Sequence, residues 1–147
     1  MKRLALIASV MALVVVAVAL GGCAQVATEA DDFDPPVSLR PVDGTDLKEV
    51  TFTSEAIEDL AIASAPLQAR SGSAQVVVPL AAVFYDSKGA AWVYVVKTPG
   101  VYLRAPIAVE GMSGQEAYAS SAPAVGTQVV VVGATEIYGA ETGIGAK

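Results

Sequence analysis

Few side chains in this chain of 147 residues are suited to catalysis or metal binding. No histidine is present, which excludes Ser-His-Asp and Cys-His catalytic arrangements and any zinc site that uses histidine. Cys23 is the one cysteine. Gly139, Gly143 and Gly145 are spread along the C-terminal tail and match no phosphate-binding loop. We therefore expect no catalytic, cofactor-binding or metal-binding residues, and a protein that is not an enzyme.

Three carboxylates, those of Glu55, Glu58 and Asp59, are close enough in sequence to act as a general acid and base. A short amphipathic helix explains the same spacing better, because Ile57 and Leu60 are three residues apart and would point inward together. The carboxylates would then lie on the solvent face, where the helix dipole favours negative charge in the first turn. We favour the helix and expect no catalysis from these residues.

Three aromatic residues could form a face on which a ligand stacks. Trp92 and Tyr94 alternate in one apolar run, and Tyr102 lies in the next. Alternating aromatic residues in a strand are more often core residues or cross-strand partners. We therefore predict that Trp92, Tyr94 and Tyr102 belong to the core of the protein.

The N-terminus has the pattern of a secretory signal. Met1-Lys2-Arg3 is positively charged, and the segment from Leu4 to Leu20 is apolar apart from Ser9. The next residues complete the sequence Leu20-Gly21-Gly22-Cys23, which resembles the lipobox of bacterial lipoproteins at every position of that short motif. The resemblance implies that residues 1–22 are a cleaved signal peptide and that the thiol of Cys23 carries a diacylglycerol.

An uncleaved anchor helix or an ordinary signal peptide is the alternative, since the apolar segment is near the lower length limit for crossing a bilayer. A lone cysteine in a secreted protein cannot form an internal disulfide, which favours lipidation as its explanation. Acyl chains on Cys23 would hold the protein at a membrane, because each buried methylene contributes about 0.8 kcal/mol. We expect an extracytoplasmic, membrane-anchored lipoprotein of the cell envelope.

Removal of residues 1–22 makes the rest of the chain strongly acidic. The whole chain has a formal charge of −6, and loss of Lys2 and Arg3 leaves −8. Such a chain is not expected to bind nucleic acid, because phosphate contacts need lysine and arginine. Residues 23–46 are acidic and proline-rich, which predicts a flexible, lipid-anchored tether. The acidic run at 29–34 lacks the spaced ligands, central glycine and closing glutamate of a calcium loop.

Residues 47–139 have the pattern of a small β domain. Short valine-rich runs alternate with turn sequences such as Asp86-Ser87-Lys88-Gly89. Pro79 cannot donate a ladder hydrogen bond and marks an edge or a break. The spacing predicts a mostly β fold, a small antiparallel β-barrel or sandwich with one or two short helical turns, one of them over 134–138. Residues 140–147 are predicted to form a flexible tail.

Three runs occur in an order known from one family. Val78 to Val83 gives V-P-x-x-A-V, Trp92 to Val96 gives W-V-Y-V-V, and Gly126 to Gly133 gives G-x-x-V-V-x-x-G. Together they resemble the C-terminal portion, membrane-proximal and β-barrel, of the periplasmic adaptor subunits (membrane-fusion proteins) of bacterial efflux pumps. The resemblance covers about Val50 to Gly139. It implies a β-rich domain that contacts an inner-membrane transporter.

The function predicted from this resemblance is that of a non-catalytic, lipid-anchored accessory of a membrane efflux transporter. The chain departs from a full adaptor, because the sequence shows no heptad-rich helical hairpin and no lipoyl-like domain. The alternative is a solute- or ligand-binding envelope lipoprotein unrelated to transport. The first function predicts an exposed apolar patch, and the second predicts one concave pocket with convergent polar groups.

Overall fold

Runs of β-branched and aromatic residues, separated by turns that contain glycine, form strands through most of the domain. The structure, a computed structural model, describes residues 35–143. The predicted signal peptide, Cys23 and the first part of the predicted tether lie outside the described residues, as do the last four residues.

This part of the chain contains two α-helices, one 3-10 helix and eleven strands. The helices are α1 (Ser54–Asp59) and α2 (Ala134–Thr142), and the 3-10 helix is Leu80–Ala82. The strands are β1 (Val37–Pro41), β2 (Lys48–Phe52), β3 (Ala63–Pro66), β4 (Gln68–Ala69), β5 (Val76–Pro79), β6 (Phe84–Tyr85), β7 (Ala91–Thr98), β8 (Val101–Pro106), β9 (Ala108–Ser113), β10 (Glu116–Ser121) and β11 (Gln128–Val132).

The strands form two antiparallel sheets. The larger sheet has the order β1-β2-β8-β7-β11-β3, with β6 also paired to β7, and the smaller sheet has the order β4-β5-β10-β9. The larger sheet does not close on itself, so of the two predicted architectures the structure is a sandwich. The predicted mostly β, antiparallel fold is confirmed.

The larger sheet is covered on both faces. Its inter-sheet face packs against the smaller sheet around Val78, Val93, Ala117, Ala119 and Val129. Its helix-covered face packs against α1 and α2 around Phe52, Tyr94, Tyr102, Val130 and Ile137. Directly opposite residues of an antiparallel pair point to the same face, so Tyr94 and Arg104 share the helix-covered face. The next pair, Val95 and Leu103, therefore lies on the inter-sheet face.

Several local predictions are confirmed. The predicted short helix is α1, and the Oγ1 atom of Thr53 caps it by accepting a hydrogen bond from the backbone N–H of Ala56 at 3.3 Å. β5 ends at Pro79, where the chain turns into the 3-10 helix. β6 and β7 form a hairpin around the predicted turn Asp86-Ser87-Lys88-Gly89, with Phe84 opposite Trp92.

The N-terminal boundary of the domain differs from the prediction. β1 lies within the 23–46 segment that was predicted to be a tether. It pairs along its whole length with β2, and Val37 packs against the core of the helix-covered face. Polar residues and prolines concealed this strand in the sequence, because an edge strand tolerates both where it faces solvent.

The C-terminal boundary also differs. The sequence predicted one helical turn over 134–138 and a tail over 140–147, but α2 continues to Thr142. Ile137 and Glu141 are both buried against the sheet, which extends the helix by a further turn. Gly143 then ends the helix with a left-handed φ of 73°, a conformation that glycine adopts without a steric penalty.

We expect Gly133→Ala to lower the free energy of unfolding more than Gly126→Ala. Both glycines have left-handed φ values, 91° and 88°, so alanine costs about 1–2 kcal/mol at either position. A Cβ at Gly133 would also lie 2.8 Å from Cγ1 of Ile62, whereas one at Gly126 would meet nothing within 4 Å. Overpacking adds roughly 1–3 kcal/mol. Urea unfolding of both variants measures the difference, and equal losses would contradict the close contact.

Candidate functional site

The carboxylates singled out in the sequence lie on the surface of α1. Glu55, Glu58 and Asp59 are all exposed, as a solvated helical face requires. Ile57 packs against the core as predicted, but Leu60 is 36% exposed. The helix ends before Leu60, which is its C-cap residue, so the side chain leaves the inward-facing row.

The aromatic residues singled out in the sequence divide into two groups. Tyr94 and Tyr102 are buried core residues of the helix-covered face, as predicted, and the ring of Tyr94 stacks on that of Phe84 with centroids 4.9 Å apart. Trp92 is only half-buried. Its indole packs at the margin of the same core, so the prediction that it is a core residue holds in part.

One charged side chain is buried among the described residues, that of Glu141 in the last turn of α2. Its Oε2 atom accepts a hydrogen bond from the hydroxyl of Tyr94 at 2.5 Å. Its Oε1 atom lies 3.0 Å from Nε of Arg104 and accepts a hydrogen bond from the backbone N–H of Lys48 at 3.3 Å. The Nζ atom of Lys48 donates to the backbone carbonyl of Glu141 at 3.2 Å. This Glu141 cluster joins α2 to β2, β7 and β8.

Arg104 and Glu141 form a close ion pair, although the Nε–H of Arg104 is not aligned for a hydrogen bond. The guanidinium lies 4.7 Å from the ring centroid of Trp92 and 6.0 Å from that of Tyr138. Aromatic faces attract cations. The two rings therefore help to hold the charge of Arg104 beside the carboxylate that it neutralises.

The position of Glu141 would be unfavourable without these partners. The C-terminal end of a helix carries negative partial charge, and burial removes the carboxylate from water. The positive charges of Arg104 and Lys48 offset both effects. Burial raises the pKa of Tyr94 far above its usual range, and the hydrogen bond to Glu141 and the negative charge of that carboxylate raise it further. Tyr94 is therefore a protonated hydrogen-bond donor.

The Glu141 cluster is closed to solvent. Tyr94 is 0% and Glu141 is 3% exposed, so neither group can contact a dissolved substrate in this conformation. The geometry instead fixes α2 on the sheet through charge pairing and hydrogen bonds. Sequence reasoning missed Glu141 because it assigned residue 141 to the tail. The available signal was the helical spacing of Ile137, Tyr138 and Glu141.

Surface grooves are more accessible than the Glu141 cluster. One groove, of about 360 Å³, lies between the β7–β8 pair and the end of β10, and Lys97 and Ser121 border it; we call it the Lys97 groove. A second, of about 560 Å³, is mostly apolar and is lined by Ala65, Pro79, Leu80, Ala81, Gln115 and Val131. The Lys97 groove combines an apolar floor with a cation and a hydroxyl group, as small-ligand sites commonly do.

The described residues were compared with two general features, metal-binding clusters and membrane-spanning helices, and the chain was compared with known proteins. Residues 35–143 contain no group of three or more histidine, cysteine, aspartate or glutamate side chains placed to hold a metal ion. Within the same residues, no helix has both the length and the apolar character needed to cross a membrane. Comparison of the chain with family models, with curated proteins and with solved structures gives no match.

We expect Tyr94→Phe to lower the free energy of unfolding by about 1.5–3 kcal/mol, the usual contribution of a hydrogen bond to a charged group. The variant keeps the buried ring and removes only the hydroxyl that donates to Glu141. Tyr102→Phe is the matched control, because Tyr102 is also buried but donates to no other described side chain. Urea unfolding measures both variants. A loss for Tyr94→Phe no larger than for Tyr102→Phe would contradict the role of this hydrogen bond.

Asp86 organises the turn between β6 and β7. Its Oδ1 atom accepts hydrogen bonds from the backbone N–H groups of Lys88 and Ala90, both at 2.9 Å. Its Oδ2 atom accepts one from Nε1 of Trp92 at 3.0 Å. The hydrogen bond from Ala90 is the main cause that lowers the pKa of Asp86, and desolvation partly opposes it. The bonds from Trp92 and Lys88 lower the pKa further.

We expect the indole N–H resonance of Trp92, the one tryptophan in the chain, to report protonation of Asp86. Because the folded pKa lies below the unfolded one, the contribution of Asp86 to stability is complete above about pH 4 and is lost as the pH falls through the folded pKa. An NMR titration should therefore move this resonance with a midpoint below about 3.9. Asp86→Asn should abolish that movement, and the same movement in the variant would contradict the assignment.

Proposed function

We propose that this protein is a non-catalytic, lipid-anchored accessory of a membrane efflux transporter. Acyl chains on Cys23 hold it at the membrane, and the β domain docks on the transporter. The observation that carries the proposal is the combination of a lipobox, Leu20 to Cys23, with adaptor-like segments between Val50 and Gly139. The lipobox supports the location, and the adaptor-like segments support the class of partner.

The positions of the adaptor-like segments in the fold support the proposal. The V-P pair, Val78-Pro79, ends β5; the W-V-Y-V-V run lies in β7; and the last valine-rich run is β11. All three belong to one antiparallel sandwich. A β-rich domain of this kind is what the resemblance implies for the part of an adaptor that contacts a transporter.

An apolar corner of the domain is the surface that we propose for docking. Leu60 and Val132 are 36% and 48% exposed. Their neighbours in the chain meet, because Ala63 is opposite Val132 in the β3–β11 pair and a Cβ at Gly133 would lie 2.8 Å from Cγ1 of Ile62. Contiguous apolar surface marks protein interaction sites, and we propose that the transporter covers this corner.

A second candidate function is that of a solute- or ligand-binding envelope lipoprotein unrelated to transport. The Lys97 groove favours it, because the groove has an apolar floor and few polar groups. Both candidate functions are non-catalytic, and they differ in whether the partner is a membrane protein or a small molecule.

Crosslinking in the native membrane tests the first candidate. A photoreactive amino acid replaces Val132, and mass spectrometry identifies the captured protein. We expect an efflux permease or an ABC transporter to be captured, and we expect Cys23→Ser to abolish the capture because the unanchored protein is diluted away from the membrane.

The matched control carries the same photoreactive residue at Tyr85, which is 52% exposed and lies in the β6–β7 hairpin. Equal capture from both positions would contradict docking through the apolar corner. Failure to enrich any transporter from either position, with the protein present in the membrane fraction, would overturn the proposed function.

A further inference from the structure

The Lys97 groove is built from both sheets. Its floor includes Val95 and Leu103, which lie directly opposite each other on the inter-sheet face. Its wall is formed by Ser121, the last residue of β10, and by the loop residues Ala122 and Pro123. The floor and most of the wall are therefore apolar.

Two cationic residues border the groove, but only one is available to a ligand. The guanidinium of Arg104 is paired with Glu141 on the helix-covered face. Lys97 is exposed, and no carboxylate among residues 35–143 forms an ion pair with it. Its ammonium group is therefore the cation with which an anionic ligand can pair.

Lys97 lies at a β-bulge that borders this groove. Val96 is opposite Tyr102 and Thr98 is opposite Val101, so Lys97 is an extra residue without a cross-strand partner. Bulges bend a strand, redirect a side chain and are frequent beside functional sites. This irregularity distinguishes Lys97 from an ordinary exposed lysine in a regular strand. The chain has a formal charge of −6, so Lys97 does not belong to a generally basic molecule.

We infer that the Lys97 groove binds a single-chain amphiphilic carboxylate of the fatty-acid type. The alkyl chain lies on the floor formed by Val95 and Leu103, and the carboxylate pairs with Lys97 and accepts a hydrogen bond from Ser121. The volume favours one chain: about 360 Å³ corresponds to roughly twelve water molecules at about 30 Å³ each. This space matches one short alkyl chain with its carboxylate, about the size of a ten-carbon fatty acid.

This inference does not rest on the proposed docking to a transporter, because the groove is on the inter-sheet margin and the apolar corner is formed by other residues. It names a ligand class for the second candidate function. A transporter accessory with such a site would bind the same class of ligand.

Photolabelling tests the inference with the full chain in phosphatidylcholine nanodiscs. The probe is a decanoate analogue with a diazirine at the end of its chain, and mass spectrometry maps the labelled residues. We expect labels at Leu103, Ala122 or Pro123. Lys97→Glu should raise the probe concentration for half-maximal labelling about tenfold or more, because it removes a charge-assisted contact and adds a repulsive charge.

Three controls make the result decisive. Lys88→Glu makes the same charge change at an exposed lysine in the β6–β7 turn and should leave labelling unchanged. Lys97→Arg keeps the charge and should retain labelling. The corresponding decanol probe should label the groove about tenfold more weakly, since it lacks the carboxylate.

Other outcomes would overturn the inference. Equal labelling by decanoate and decanol, or labelling that Lys97→Glu does not change, would indicate apolar adhesion alone. Competition by phosphatidylglycerol in the nanodisc that matches competition by free decanoate would assign the groove to a membrane lipid. Labels confined to residues outside the groove would contradict ligand binding in the Lys97 groove. Transporter capture through Val132 is a separate measurement, so either proposal can fail without the other.

Discussion

The burial of Glu141 is the constraint on which the arrangement of the domain depends. A carboxylate that is 3% exposed needs cationic and hydrogen-bonding partners, because an unpaired buried charge strongly destabilises a fold. Its partners, Lys48, Tyr94 and Arg104, come from β2, β7 and β8, all of which are distant in sequence from α2. Losing one partner of such a pair typically costs about 3–5 kcal/mol, although an apolar replacement of the whole group can be neutral. The cluster therefore specifies where α2 lies more than it adds to total stability.

The burial of Glu141 beside Arg104 also determines which residues form the Lys97 groove. Side chains alternate between the faces of a strand, so β7 and β8 present Tyr94 and Arg104 to the helix and Val95 and Leu103 to the groove. A slip of one residue would exchange the two sets and would place Arg104 between the sheets, away from Glu141. The pairing with Glu141 thus also fixes the floor of the Lys97 groove, although the two sites lie on opposite faces.

The sequence predicted the parts of the fold that local pattern determines. Turn residues and valine-rich runs located most of the strands, the spacing of carboxylates and apolar residues indicated α1, and Pro79 marked the end of β5. The sequence pattern failed where tertiary contacts determine whether a residue lies in a strand, in a helix or in the core. β1 is an edge strand whose one apolar contact, through Val37, becomes visible only when β2 is beside it. Glu141 is a charged residue two positions before Gly143, and only the distant cations of β2 and β8 explain its burial. The bulge at Lys97 likewise depends on the register with β8, which no local pattern specifies.

Covalent geometry connects the proposed anchor with the proposed ligand. Fourteen peptide steps separate Cys23 from Val37, so the first residue of β1 cannot lie farther than about 50 Å from the cysteine. If Cys23 is acylated, Val37 remains within about this distance of the bilayer surface. A single acyl chain binds a membrane only weakly and reversibly, so fatty acids continually leave and re-enter the bilayer beside such a domain. A groove for one chain and one carboxylate would therefore meet its ligand at the same membrane surface where an efflux transporter would be bound. Both proposals assume a location at the membrane, while each depends on different residues of the sandwich.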